Sequence, residues 1–97
     1  MSSPLLQWFL EYDQARPEVW EAFKRYTLQA VSAGRRMGAK AVAERVRWEM
    51  AVEKGDDGFR LNNNAVAFYA RRFMAQFPQH GEVFRLRERR ETQEEAA

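Results

Sequence analysis

The chain of 97 residues contains no cysteine, and this absence excludes several chemistries at once. Disulfide bonds, thiolate zinc sites and cysteine nucleophiles all need a side chain that is missing here. A small domain without disulfides is typical of a reducing compartment. We therefore expect a cytoplasmic protein whose stability depends on its hydrophobic core.

Histidine is nearly absent too, because His80 is the only one and it lies beside Gly81 in a predicted turn. A zinc site cannot be built from one histidine without cysteine, and no serine has a triad context. The acidic pair Asp56-Asp57 in KGDDG, residues 54–58, is typical of a polar turn, and the alternative is a metal site completed by a third carboxylate. Neither GxxxxGK[ST] nor GxGxxG occurs. We expect no enzyme activity, no metal and no cofactor.

Long apolar runs are also missing. No stretch approaches the roughly 20 apolar residues of a membrane-spanning helix. The first residues, MSSPLLQWFLEYDQ, have no basic segment and soon reach Glu11 and Asp13, which is unlike a signal peptide. We therefore predict that the protein has no membrane partner.

What the chain does contain is helical periodicity in four segments. Ser3 and Pro4 are typical of a helix start, as a cap and a first-turn proline. Pro17 begins the next segment and Gly34 ends it. Pro78 ends the last one. The predicted helices cover residues 4–13, 17–33, 39–53 and 64–77.

Two short triplets alternate apolar and basic residues as strands do: residues 59–61 and 84–86 both read Phe-Arg-Leu. If they pair, they form a short two-stranded β element in a winged-helix-like arrangement. The segment between the third and fourth helices is longer than the roughly three-residue turn of a helix-turn-helix. We predict a mainly α, compact four-helix domain over residues 1–90, in which a short two-stranded β element is possible. Residues 91–97 are predicted to form a polar, disordered tail.

The charge is modest overall, at +2, but it is unevenly distributed. Basic residues concentrate in segments 35–47 and 58–90, whereas the tail is acidic. Arginine, the commoner basic residue here, suits bidentate contact with phosphate or carboxylate. The distribution indicates either an anionic partner, such as double-stranded DNA or an acidic protein surface, or simply a solvated basic face.

Three consecutive asparagines, Asn62 to Asn64, precede the fourth helix. Asparagine is a favoured N-cap residue, but one is enough. The others either form a turn with left-handed residues, which asparagine tolerates, or contact a ligand. Near the start of a recognition helix, asparagine can read adenine and arginine can read guanine.

If the asparagines and arginines read DNA, two sets of candidate contacts follow. The alternative is that the helix is only capped and amphipathic, and that its arginines keep the protein soluble. Helix 64–77 is the candidate recognition helix, and phosphate contacts would come from the basic residues around it. The candidates on the helix are Asn63, Asn64, Phe68, Arg71 and Arg72. The candidate phosphate contacts are Arg35, Arg36, Lys40, Arg60, Arg85 and Arg87.

Several motifs together resemble a group of small proteins encoded by tailed phages and prophages. The matching residues are Arg47-Trp48, Leu61–Asn64, Tyr69–Arg71, Pro78, and Phe84 with Arg87. The similarity spans about residues 8 to 87. It implies a phage origin and action in the cytoplasm of a bacterial host, and it implies no particular activity.

Three functional hypotheses follow. The first is a small phage-encoded DNA-binding protein with a regulatory or accessory role. The second is a protein-interaction module that binds and modulates a host or phage protein, as a counter-defence or takeover factor would, through exposed aromatic residues and arginine. The third is a homodimer, since helices 17–33 and 39–53 have wide apolar faces.

Overall fold

The computed structural model describes residues 3–84. Four α-helices run through this part, and the predicted mainly α, four-helix domain is confirmed. A five-residue π-helical turn continues the third helix, and a short 3-10 turn follows the fourth. The helices are α1 (Pro4–Ala15), α2 (Pro17–Ser32), α3 (Ala39–Trp48) and α4 (Asn63–Gln76); the π turn is Glu49–Glu53 and the 3-10 turn is Pro78–His80.

The ends of α1 and α2 follow from their terminal residues. The Ser3 hydroxyl accepts a hydrogen bond of 3.0 Å from the backbone N–H of Leu6, which satisfies a free donor of the first turn. Gly34 ends α2 with a φ of 72°, a conformation that glycine adopts without strain. The next N–H, of Arg35, then bonds the carbonyl of Ala30 at 2.9 Å, completing a Schellman motif.

Aromatic side chains from α1, α2 and α4 meet at the centre of the core. The Tyr69 ring lies 5.2 Å from Phe9, 5.8 Å from Trp20 and 5.6 Å from Phe23, between centroids. Phe84 is also buried and packs against Phe23. Large rings bury much apolar area each, so this cluster is the main source of the hydrophobic stabilisation.

The segment predicted as one helix over residues 39–53 is helical throughout, but its last turn is wider than an α-turn. In this π turn the side chains of Glu49 and Met50 both point inward, while Val52 is 57% exposed. Glu49 accepts hydrogen bonds from the Tyr26 hydroxyl and the Arg25 guanidinium of α2. The π turn therefore attaches the end of α3 to α2 through a charged group.

The β element is not observed between residues 3 and 84, where no strand occurs. Phe59 and Leu61 are buried and Arg60 is exposed, so the predicted alternation holds without a partner strand. Arg85 and Leu86 of the second triplet lie outside the described residues. The core runs from Phe9 to Phe84; the boundary at residue 90 and the disordered tail stay predictions.

Candidate nucleic-acid interface

The three asparagines at the start of α4 have two different roles. The Asn62 side-chain oxygen accepts a hydrogen bond of 2.9 Å from the N–H of Ala65, so Asn62 is the cap. Asn63 and Asn64 form the first turn and are exposed. In the described part, only glycines have a positive φ. The prediction that the other asparagines form a turn with left-handed residues is therefore wrong. Two asparagine side chains are left facing solvent.

Side chains from α1 and α3 hold the segment that leads into α4. The Arg47 guanidinium donates a hydrogen bond to the Leu61 carbonyl and a second, of 2.9 Å, to Glu44. The Tyr12 hydroxyl donates to the Arg60 carbonyl at 2.8 Å. The Arg-Trp and Leu-Asn-Asn-Asn motifs are therefore in contact in the fold. Their contact fixes where the asparagines lie.

A cleft of about 500 Å³ lies between α3 and the N-terminal part of α4, and we call it the α3–α4 cleft. Small side chains form much of its wall, so a ligand could approach the helix backbones closely. Lys40 and Asn63 supply polar groups from opposite helices. The lining residues are Ala39, Lys40, Ala43, Arg47, Asn63, Val66 and Ala67.

Arg71 extends this surface along α4. It is exposed, and it lies four residues after Ala67 and seven after Asn64. Residues at these separations share one face of a helix. The face therefore presents Asn64 and Arg71 about two turns apart, next to the cleft that Asn63 borders.

The neighbouring candidates Arg72 and Phe68 are turned towards α1 instead. The Arg72 guanidinium is 3.1 Å from the Asp13 carboxylate and lies over the rings of Phe9 and Trp20, 5.3 Å and 5.1 Å from their centroids. Phe68 stacks on Phe9 with 4.5 Å between centroids. Both side chains are engaged in packing α4 against α1, so neither belongs to the exposed face of α4.

The basic residues of the described part fall into two groups. One group is neutralised by acidic neighbours within salt-bridge distance: Arg16, Lys24, Arg25, Arg45, Arg47, Lys54 and Arg72. The other group has no acidic partner among residues 3–84 and is exposed: Arg35, Arg36, Lys40, Arg60 and Arg71. Every described residue predicted as a phosphate contact belongs to the second group, whereas Arg85 and Arg87 lie outside the described residues.

Arg35 and Arg36 lie in the loop that leads into α3. They border a shallow hollow of about 240 Å³ together with His80 and Glu82. The N-cap of α3 is Gly38, which has no side chain to bond the first N–H groups. The positive end of the helix dipole and the loop arginines therefore attract anions to the same end of α3.

Sequence reasoning missed two contributors to this surface. Arg47 belongs to the Arg-Trp motif and to the basic segment 35–47 but is not among the predicted contacts, although its guanidinium lines the cleft and also bonds Leu61. The sequence offers no chemical reason to select the alanines of the wall, because alanine has no polar or reactive group. Their spacing was the available signal, since Ala39 and Ala43 are four residues apart and so share one face of α3.

Other candidate chemistries gain no support. No group of three metal-binding side chains occurs in residues 3–84. Asp56 is bonded to Arg16 at 2.8 Å, and His80 is exposed. In the same residues, no helix combines the length and the apolar character needed to cross a membrane. No family model, no curated protein and no solved structure matches the chain, so its resemblance to tailed-phage proteins stays a prediction.

Proposed function

We propose that this chain is a small DNA-binding protein that meets double-stranded DNA with the α3–α4 cleft and the adjoining face of α4. Its role would be regulatory or accessory in a phage. One observation carries the proposal: Asn63, Asn64 and Arg71 lie exposed along α4, with Lys40 across the cleft, and within residues 3–84 no side chain of the four forms a hydrogen bond or ion pair.

The chemistry of these groups suits a duplex. Lys40 and Arg71 would contact phosphate oxygens, which fix position without reading sequence. The amide of Asn63 or Asn64 can form a bidentate pair with adenine in the major groove. Both lie at the N-terminus of α4, where recognition helices carry their base contacts. In the winged-helix-like form of this proposal, residues 84–87 pair with 59–61 and bring Arg85 and Arg87 to DNA as well.

The direct test is fluorescence anisotropy of a labelled random duplex of about 25 base pairs, more than two helical turns. Titrations at about 50 mM and about 200 mM salt separate phosphate contacts from other contacts. We expect micromolar binding at the lower salt and a steep loss at the higher. The Lys40→Ala/Arg71→Ala variant should lose roughly tenfold in affinity and reduce the salt slope by about two, one for each lost phosphate contact.

A charge-matched control decides whether the position of the charges matters. The Lys24→Ala/Lys54→Ala variant removes the same charge from residues that already have acidic partners. It should bind nearly as well as the wild type. Equal weakening by both variants would contradict a cleft interface, and no binding at low salt would contradict DNA binding altogether.

A protein-interaction module is the second candidate, and exposed aromatic residues favour it. Trp8 is 37% exposed on α1 and Trp48 is 55% exposed on α3, and tryptophan is a common anchor of protein interfaces. The exposed cations would then face carboxylates of an acidic partner, a host or phage protein. An aromatic-anchored complex should weaken far less with salt than a duplex complex, so the salt series separates the two candidates.

A further inference from the structure

A groove lies between α2 and α3, on the side of α3 opposite the α3–α4 cleft. On α3 it is bordered by Ala41 and Arg45, whereas the cleft is bordered by Ala39 and Ala43. Its volume is about 440 Å³, which is within the roughly 300–1,000 Å³ of small-molecule sites. We call it the α2–α3 groove.

The walls of the α2–α3 groove are mostly apolar. Val42 is 3% exposed and belongs to the hydrophobic core, so an apolar group in the groove would touch the core directly. Met37 is 40% exposed, and its flexible side chain can adapt to such a group. Burying apolar surface on both sides would favour binding. The apolar lining residues are Ala30, Ala33, Met37, Ala41 and Val42.

Both charged side chains that line the groove are cations. Arg35 follows α2 at one end of the groove; it is exposed and has no acidic partner among residues 3–84. Arg45 lies at the other end, with its guanidinium 4.6 Å from the centroid of the Tyr26 ring and 3.7 Å from the Glu53 carboxylate. No carboxylate from the described part of the chain lines the groove. The lining therefore suits an apolar ligand that carries negative charge.

We propose that the α2–α3 groove binds a small carboxylic acid with an apolar body, such as a medium-chain fatty acid. The carboxylate would pair with Arg35, because the Glu53 carboxylate already offsets the charge of Arg45. A single guanidinium matches the single charge of a carboxylate and can donate hydrogen bonds to both of its oxygens. The apolar body would then run along α2 towards the Tyr26 ring.

The length and the charge of the groove favour this ligand over an apolar side chain of a partner protein. Tyr26 and Ala33 line the groove from α2, and helix geometry of 1.5 Å per residue puts them roughly 10 Å apart along the axis. That length accommodates an extended alkyl chain and exceeds most single side chains. An apolar side chain also has no group to pair with Arg35. Neither Lys40 nor Asn63 of the α3–α4 cleft lines this groove, so binding here does not depend on DNA.

The test is nuclear magnetic resonance of the full, isotope-labelled chain without DNA, with decanoate as the probe below its micelle concentration. Shift changes should centre on Ala30, Ala33, Ala41 and Val42, with a dissociation constant on the order of 1 mM, as expected for a ligand of so few atoms. Decylammonium has the same chain and the opposite charge, so it should bind at least roughly tenfold more weakly. Butanoate should also bind at least roughly tenfold more weakly, because its short chain buries less apolar surface.

Three variants locate the ligand in the groove. Arg35→Gln should weaken decanoate binding by roughly tenfold, whereas Arg36→Gln, which removes the same charge one residue away and outside the groove, should bind nearly as well as the wild type. Ala41→Leu should fill the groove and also weaken binding; because Ala41 is exposed and leucine favours helices, circular dichroism should show this variant folded.

Several results would overturn the proposal. Decylammonium that binds as tightly as decanoate, or glutamine variants at 35 and 36 with equal effects, would leave an apolar groove without selectivity for acids, open to a side chain of a partner protein. Shift changes centred elsewhere, or none below the micelle concentration, would show that the groove does not bind such an acid at all.

Discussion

At the scale of single residues, neighbouring identical side chains have different roles in this protein. Asn62 bonds the backbone of α4, while Asn63 and Asn64 face solvent. Arg72 bridges α4 to Asp13 of α1, while Arg71 is exposed. The sequence predicted that one asparagine caps the helix. It could not assign the two arginines, because their difference arises only when α1 packs beside α4.

The cap predicts a difference in stability among the asparagines. Asn62→Ala should lower the free energy of unfolding by about 1 kcal/mol, since it leaves the N–H of Ala65 without its acceptor. Asn63→Ala and Asn64→Ala should change it by less than about 0.5 kcal/mol, as surface substitutions do. Urea unfolding followed by circular dichroism measures all three. An Asn64→Ala variant as unstable as Asn62→Ala would contradict the assigned cap.

The two arginines predict opposite phenotypes. Arg72→Ala should cost roughly 1–3 kcal/mol of stability, because it removes an ion pair with Asp13 and contacts with the Phe9 and Trp20 rings. Arg71→Ala should cost less than about 0.5 kcal/mol yet weaken duplex binding. Urea unfolding and duplex anisotropy, run on both variants, check this. The reverse pattern would mean that the two positions had been assigned to the wrong faces of α4.

At the scale of elements, the attachment of α2 to the π turn depends on a buried carboxylate. The Tyr26 hydroxyl, and after it the Arg25 guanidinium, hold the pKa of Glu49 below its ordinary value, although burial opposes this. Because the folded pKa is the lower one, the unfolded chain binds the proton more tightly. The contribution of Glu49 is therefore complete above its ordinary pKa of 4.5 and is lost as pH falls through the folded pKa.

This linkage predicts how acid affects the wild type and a variant. Between about pH 7 and pH 3, the free energy of unfolding should fall more steeply in the wild type than in Glu49→Gln, which cannot titrate there. Urea unfolding at several pH values measures the slope. The exposed Glu21→Gln is the matched control and should keep the wild-type slope. Parallel slopes in the wild type and Glu49→Gln would show that Glu49 does not stabilise the contact.

The sequence predicted most helix boundaries because prolines and glycines mark them. Pro4 and Pro17 lie at the first positions of α1 and α2, and Gly34 follows α2. The π turn could not be predicted, since no residue type there departs from an ordinary helix. It depends on Glu49 meeting Arg25 and Tyr26 of α2, and that contact exists only in the folded chain.

At the scale of the whole molecule, the exposed cations and the exposed apolar side chains of α3 lie on different sides of that helix. Lys40 and Arg47 line the α3–α4 cleft, whereas Ala41 and Trp48 border a hollow of about 430 Å³ on the other side. A duplex bound at the α3–α4 cleft would therefore leave the Trp48 side of α3 uncovered.

The candidate site was only partly predictable at this scale. The described residues predicted as phosphate contacts are all exposed, because arginine and lysine outside amphipathic stripes tend to face solvent. Arg72, predicted on the recognition helix, is instead paired with Asp13. The sequence could not show the cleft, which the small side chains of Ala43 on α3 and Ala67 on α4 both line. A cleft between two helices depends on their packing and on the size of the facing side chains.

The α3–α4 cleft as a DNA interface is tested most directly by nuclear magnetic resonance. Amide and arginine side-chain signals of the labelled protein would be followed while an unlabelled duplex is added at low salt. The largest shift changes should fall on Lys40, Asn63, Asn64, Ala67 and Arg71, with Val52 on the other side of α3 unchanged. Changes centred on Trp48 and Val52, or none at all at saturating duplex, would contradict the interface.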